Sequence, residues 1–234
     1  DLAFRVAPRL NASGRMGEAE AGIALLTALD LTRARPLAAR LNRLNAERQQ
    51  VERAILDQIE ELIPSEVDPG ARRTLVFAGR GWHRGVLGIV ASRLVEKYHR
   101  PTLVLDVRDG VAEGSGRSIP GFDLYGALSR LSPLLSRFGG HRQAAGLGLE
   151  VSRIEALADG LESVGLEQIQ PKDLVPAIEV DAEAALSELD LSAVARMNDY
   201  GPFGNGNPEP LFFSSEVELL EARVVGERHL KVRL

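Results

Sequence analysis

The 234-residue chain contains no cysteine. Disulfides, thiolate zinc sites and cysteine nucleophiles are excluded with it. The absence fits a reducing compartment, so the cytoplasm is the expected location. No run of 18 apolar residues occurs, so no transmembrane helix is expected. No signal peptide is visible. The four histidines and the carboxylates never fall into metal-ligand spacing such as His-Glu-x-x-His or Asp-His-His. A Walker loop and a serine elbow are also missing. These residues lack the usual means of cleaving a phosphate ester by themselves.

The apolar fraction of 44% and charged fraction of 26% are those of a soluble globular protein. The length suits one large or two ordinary domains. Both ends read as interior: Asp1 runs straight into LAFRVAPRL, and HLKVRL stops in mid-strand. The expectation is a piece of a longer protein. The net charge of −5 does not by itself suggest a nucleic-acid binder. Its distribution says more. From Arg80 to Gln143 ten basic residues stand against five acids, whereas from Glu150 to Asp199 twelve acids stand against three bases. A basic middle followed by an acidic stretch is either a phosphate-attracting region beside a solvated one, or ordinary surface charge.

Pro8, Gly14 and Gly17 punctuate the first 17 residues, which read as irregular. Glu18 to Asp30 reads as a short helix. A long helix is predicted from about Arg33 to Ile63, with Leu37, Leu41, Leu44, Val51, Ile55, Ile59 and Leu62 in one stripe. Arg48 fills the one polar slot. Pro36 fits its first turn and Pro64 its end. Then strands and helices alternate. TLVFAGR, PTLVLDV, VAEGSGRSI and AAGLGLEV read as strands, the third breaking into a glycine turn. Val86 to Tyr98, Asp123 to Phe138 and Ser152 to Val164 read as helices, with Asp123 and Ser152 as caps. The pattern is an α/β mixed sheet covered by helices. IEVDAEA reads as one more strand, followed by a helix from about Ser192. GPFGNGNPEP is a turn-dense linker, and two or three short strands after it open a separate β domain.

Four places join glycine to a base: Asn11-Ala12-Ser13-Gly14-Arg15, Gly81-Trp82-His83-Arg84-Gly85, Gly114-Ser115-Gly116-Arg117-Ser118 and Gly139-Gly140-His141-Arg142. Glycine exposes N–H groups that cradle an anion, and arginine forks onto phosphate oxygens. Ser118 adds a hydroxyl donor, and His141 a group that charges near neutral pH. Each motif has a bland reading. Gly139-Gly140 stops a helix and turns into a strand. Trp82, the only tryptophan, is core more often than base-stacker.

The stretch GSGRSIPGFDLYGALSRLSPLLSRFGGHRQAAGLGL resembles the DHH-associated domain of the DHH phosphoesterases. FRVAPRLNASGRMGEAEAGIALLTALD, GWHRGVLGIVASRLVEKYHRPTLVL and YGPFGNGNPEPLF are similar to the RecJ branch of that family. The resemblance implies the following organisation: residues 1–30, the end of the DHH catalytic domain; 31–64, a connector helix; 65–200, the DHH-associated domain; 201–234, a linker and the start of an oligonucleotide-binding (OB) β-barrel. It implies a 5′-to-3′ single-stranded-DNA exonuclease of recombination and repair. Mn²⁺ or Mg²⁺ would be bound mainly by the catalytic domain. Single-strand-binding protein and a helicase are the partners that go with this activity. It further implies that His141 touches the scissile phosphate, and that Arg117 and Ser118 hold a phosphate of the strand. Asn11 and Arg15 line the same cleft. Trp82, His83, Arg84, Gly139, Gly140 and Arg142 are the remaining DNA-contact candidates. The alternatives are a related phosphoesterase acting on short oligonucleotides or cyclic dinucleotides, and an inactive DNA-binding scaffold. Relatives that edit alanyl-tRNA are disfavoured by the NASGR segment and the connector helix.

Overall fold

The computed structural model describes residues 2–66, 71–204, 206–226 and 229–234. Asn205 of the turn-dense linker, and Glu227 and Arg228 of the final strand region, lie outside the described residues. The chain divides into two compact units, Asp1–Pro176 and Ala177–Leu234.

The first unit opens with helices, not the irregular segment the sequence suggested. A π-helical turn at Leu2–Val6 runs into α1, Ala7–Arg15. Pro8 sits in the first turn of α1, where no N–H is needed, and the turn at Gly17 has φ +83°. Helix α2, Ala19–Leu26, ends short of Asp30, because Asp30 caps the next helix by accepting from Arg33 N at 2.9 Å. That helix, α3, spans Leu31–Glu66, 36 residues and about 54 Å long. It begins earlier than predicted, so Pro36 lies in its second turn, and its backbone continues helical past Pro64. The predicted stripe is real: Leu41, Leu44, Ile55 and Ile59 are buried. Arg48 keeps its place in that stripe by pairing with the buried Glu52, one turn on.

A five-stranded mixed sheet follows, in the order β1-β2-β3-β5-β4. Its strands are β1 Leu75–Arg80, β2 Thr102–Arg108, β3 Val111–Arg117, β4 Arg137–His141 and β5 Ala144–Glu150. Only β1 and β2 run parallel, joined through α4, Arg84–Tyr98. Strand β2 is buried on both faces, as its unbroken apolar run demanded. One face packs Leu75, Phe77 and Val104 against α4 and against Ile55 and Ile59 of α3. The other packs Leu103, Leu105, Leu147 and Leu149 against α5, Leu124–Arg130, and α6, Ile154–Gln168.

Several local readings change. Gly114 and Gly116 lie inside β3 rather than in a turn, and a Cβ at Gly114 would strike the Val104 carbonyl. Asp123 does cap α5, accepting from Gly126 N at 2.9 Å, but the helix ends at Arg130. Residues Arg137–His141 form an edge strand instead of a helix end. Ser152 caps nothing, since a 3-10 turn over Val151–Arg153 leads into α6.

In the second unit, β6 (Ala182–Glu183) pairs in parallel with β7 (Phe212–Phe213). Helix α7, Leu191–Asn198, is capped by Asp190, and β8 (Glu221–Val225) and β9 (His229–Arg233) form a hairpin. The β6–β7 pairing spans the linker. It groups Ala177–Tyr200 with the later strands, where the sequence reading had begun the new domain at Gly201.

Candidate functional site

The end of α1, the start of α4 and the end of β3 meet at one hollow of 580 Å³. Asn11 and Arg15 come from α1, Arg84 from α4, and Ser115 and Arg117 from β3. Close packing of small residues builds it. A Cβ at Gly85 would strike the Arg15 carbonyl oxygen, so only glycine lets α1 approach α4 this closely. Arg15 Nη1 donates to the Gly85 carbonyl at 3.2 Å and so fixes the approach. Gly88, one turn on, leaves room for the Arg117 guanidinium, whose Nη2 would stand 2.8 Å from an added Cβ. Arg117 Nη1 donates to the Gly116 carbonyl at 2.8 Å.

The electrostatics of this hollow point to an anion. Burial, and then the positive charge of Arg15, push the Arg117 guanidinium below its ordinary value. Among the described residues neither Arg15 nor Arg117 makes an ion pair. Two neighbouring cations, one half-buried, thus stand without a carboxylate, and an arginine does not escape by losing its proton. A bound phosphate would relieve both burial and repulsion.

A second hollow of 470 Å³ continues from the first along the sheet, and Arg84 and Ser115 line both. Its floor follows from register. Arg117 lies opposite Ala144, which lies opposite His141; Ser115, Gly146 and Gly139 form the next row, and Glu113, Gly148 and Arg137 the third. Residues in one row share a face, so Arg117 and His141 stand about 10 Å apart on the same side. Helix α4 covers β2 and β3, while Gly139 and Gly146 remain exposed. A Cβ at Gly139 would meet nothing within 4 Å. Nothing within 4 Å requires a glycine there, so the backbone at Gly139 lies open to the hollow. His141 is exposed, and its Nδ1 accepts from Gln143 N at 3.3 Å, which leaves Nε2 free to donate.

Asn11, Arg15, Arg84 and Arg117 line the first hollow, and Arg84 and Gly139 the second; His141 lines neither and shares only the strand row of Arg117 and Ala144. Arg142, exposed in the β4–β5 turn, makes no ion pair among the described residues. Four of the expected contacts have other tasks. Ser118 is buried, and its hydroxyl donates to the Phe122 carbonyl at 2.9 Å. Trp82 is buried against Gly79, and its Nε1 donates to Gln58 of α3 at 2.7 Å, which makes it the rivet between helix and sheet. His83 caps α4, accepting from Gly85 N at 3.2 Å. Gly140, with φ +144°, packs against Ala144 and Ala145 and serves the backbone of the hairpin. Sequence reasoning passed over Ser115 and Arg137. Ser115 precedes Arg117 by two residues and Arg137 precedes Gly139 by two, so a strand period would have placed each on the same face as its neighbour.

Residues 72–164 match the DHHA1 domain family, and residues 180–234 match the RecJ OB domain family. The single-stranded-DNA-specific exonuclease RecJ of Escherichia coli (strain K12) is 39% identical over 241 residues, covering 99% of this chain and 41% of the relative. The RecJ of Bacillus subtilis (strain 168) is 36% identical over 236 residues, covering all of this chain and 30% of the relative. The crystal structure of RecJ in complex with Mn²⁺ from Thermus thermophilus superposes with a TM-score of 0.86 at 35% identity, over 100% of this chain and 34% of that one. A crystal structure of the same protein in complex with Mg²⁺ gives 0.83. The chain spans between 30% and 41% of the length of these curated relatives. Over the residues it spans, the chain carries a DHHA1 domain match followed by a RecJ OB domain match, and it resembles the corresponding portion of these RecJ proteins.

Proposed function

We propose that this chain is the strand-holding portion of a single-stranded-DNA exonuclease that works in the 5′-to-3′ direction. The observation that carries the reading is the Arg15–Arg117 pair, two cations without a counter-ion among the described residues, at the head of a glycine-floored groove. Arg117 and Ser115 would hold a phosphate of the strand, the 5′-terminal one in our reading. Ser115 takes the part that the resemblance gave to Ser118. Asn11, Arg15 and Arg84 would hold the neighbouring backbone. His141 Nε2 would donate to the scissile phosphate and stabilise charge that builds in the transition state. The bare floor at Gly139 and Gly146 lets a sugar–phosphate chain lie against the sheet. The hydrolysed bond is the phosphodiester that follows the held terminus.

Two of the relatives' structures carry Mg²⁺ or Mn²⁺ by name. The described residues hold no group of three or more histidines and carboxylates that fits such an ion. We place the ion and the attacking water on the part of the longer relatives outside this chain. The RecJ OB match supports a long strand over a cyclic dinucleotide, because a short substrate needs no second binding module. A role in recombination and repair, a cytoplasmic location, and work beside a single-strand-binding protein and a helicase belong to the same proposal. Among the described residues no helix is long and apolar enough to cross a membrane.

The test is Arg117→Ala and His141→Ala in the full-length protein, each assayed on single-stranded DNA. Loss of such a donor lowers the rate by about 10²–10³-fold. Activity that stays within about twofold of wild type for both variants overturns the reading.

A further inference from the structure

Asp106 is fully buried, at position five of β2 in a run that is otherwise Thr-Leu-Val-Leu-x-Val. Aspartate is disfavoured in strands, and a buried carboxylate must be paired. Asp106 is paired only in part. Its Oδ2 accepts from Arg84 Nε at 3.2 Å and lies 3.7 Å from Arg108 Nη2. Its Oδ1 is buried and has no partner among the described residues. The chain therefore carries a strand-averse residue with an orphaned oxygen in its best-packed strand. A threonine or valine would suit the strand better, so a reason for the charge must lie in what it holds.

What it holds is Arg84. Glu113 grips the same guanidinium from the other side through Nη1, and with its second oxygen it takes Arg137 of β4. The series Asp106, Arg84, Glu113, Arg137 runs across β2, β3 and β4. Arg84 is the one long side chain common to both hollows of the groove. Two carboxylates fix its plane, and its Nη2 makes no hydrogen bond among the described residues. A guanidinium held this way keeps one donor ready for a phosphate and loses little freedom when the phosphate arrives.

We propose that Asp106 is a positioning residue: it holds the Arg84 fork on the shared wall of the groove, where it meets a backbone phosphate of single-stranded DNA. The inference rests on the reading of the groove as the strand site. Asp106 itself, fully buried, touches no substrate and acts only through Arg84.

The experiment uses the full-length protein and a fluorescein-labelled, 5′-phosphorylated single-stranded oligonucleotide. Affinity is read by anisotropy without divalent metal over a range of salt, and KM and kcat are read with metal present. Three variants are compared: Asp106→Asn, Arg84→Lys, and both together. Arg84→Lys keeps a cation beside the buried carboxylate, so it avoids stranding that charge, but it loses the fork. Asp106→Thr stands in should the asparagine variant fail to fold. We expect Asp106→Asn to raise Kd and KM by about five- to tenfold, with kcat within about twofold. The slope of log K against log salt should fall by about 0.7, one phosphate contact on a single strand. A purely structural role would leave that slope unmoved. The double variant should be no worse than Arg84→Lys alone. If Arg84→Lys is impaired while Asp106→Asn keeps wild-type KM and salt slope, the positioning role is overturned. The same holds if the Asp106 loss adds in full to the Arg84 loss. If Arg84→Lys itself changes nothing, the failure lies in reading Arg84 as a strand contact.

Discussion

Replacing Arg117 by methionine should separate binding from folding. Methionine keeps an unbranched aliphatic side chain and removes the charge, vacating the place the guanidinium takes beside Gly88. In the folded protein Arg117 bears the cost of burial and of repulsion by Arg15, and no carboxylate among the described residues offsets either. Its Nη1 donates only to the carbonyl of its own neighbour, Gly116. Taking the cation away therefore costs the fold little, and the melting temperature of the full-length protein should stay within about 2 °C of wild type or rise. Binding should behave in the opposite way. A hydrogen bond between charged groups contributes about 1.5–3 kcal/mol, which is roughly 10- to 150-fold in affinity. The assay is anisotropy with 5′-phosphorylated and 5′-hydroxyl oligonucleotides, without metal so that the strand stays whole. Wild type should prefer the phosphorylated end, and Arg117→Met should lose that preference together with a salt slope of about 0.7. The reasoning is refuted if Arg117→Met melts more than about 4 °C lower while affinity and end preference stay unchanged, since Arg117 would then be a packing residue.

Other substitutions sort the groove from its supports. Ser118→Ala should cost about 1–3 kcal/mol by stranding the Phe122 carbonyl and leave DNA affinity alone, whereas Ser115→Ala should do the reverse; denaturant melts and titrations of both variants decide it. Gly139→Ala puts a methyl on the open floor, where it meets no protein atom within 4 Å. Stability should hold or improve while strand affinity drops by severalfold, and an unchanged affinity would remove Gly139 from the groove. Gly85→Ala should push α1 off α4, because its Cβ meets the Arg15 backbone. A loss of about 1–3 kcal/mol, with weakened DNA binding, is expected in melts and anisotropy. Trp82→Ala should cost about 3–5 kcal/mol by detaching α3 from the sheet, and a variant that melts like wild type would contradict its place in the core.

Much of this protein is written in local pattern. The stripe of α3 is periodic at 3.6 residues, and β2 is apolar on successive positions, so both were legible before any coordinates. Short polar caps such as Asp123 act on neighbours within one turn, and they too could be read. Each of the four glycine–base motifs supplies a residue that lines one of the two hollows, and family likeness gave them an order. Tertiary structure decided the rest, because it turned on contacts between residues far apart in sequence. Phe138 and Gly139 look like the end of a helix until β5 supplies a partner strand. Ser118 looks as available as Ser115, yet the chain leaves β3 at Arg117 and turns Ser118 inward, while Ser115 stays on the groove face. Trp82, in a loop beside two basic residues, became a core rivet only because Gln58 and Ile59 of α3 lie over it. The pairing of Arg15 with Arg117, a hundred residues apart, with no acid between them among the described residues, is a fact of packing. Periodicity fixes which face a side chain takes, but only the fold determines what stands opposite that face.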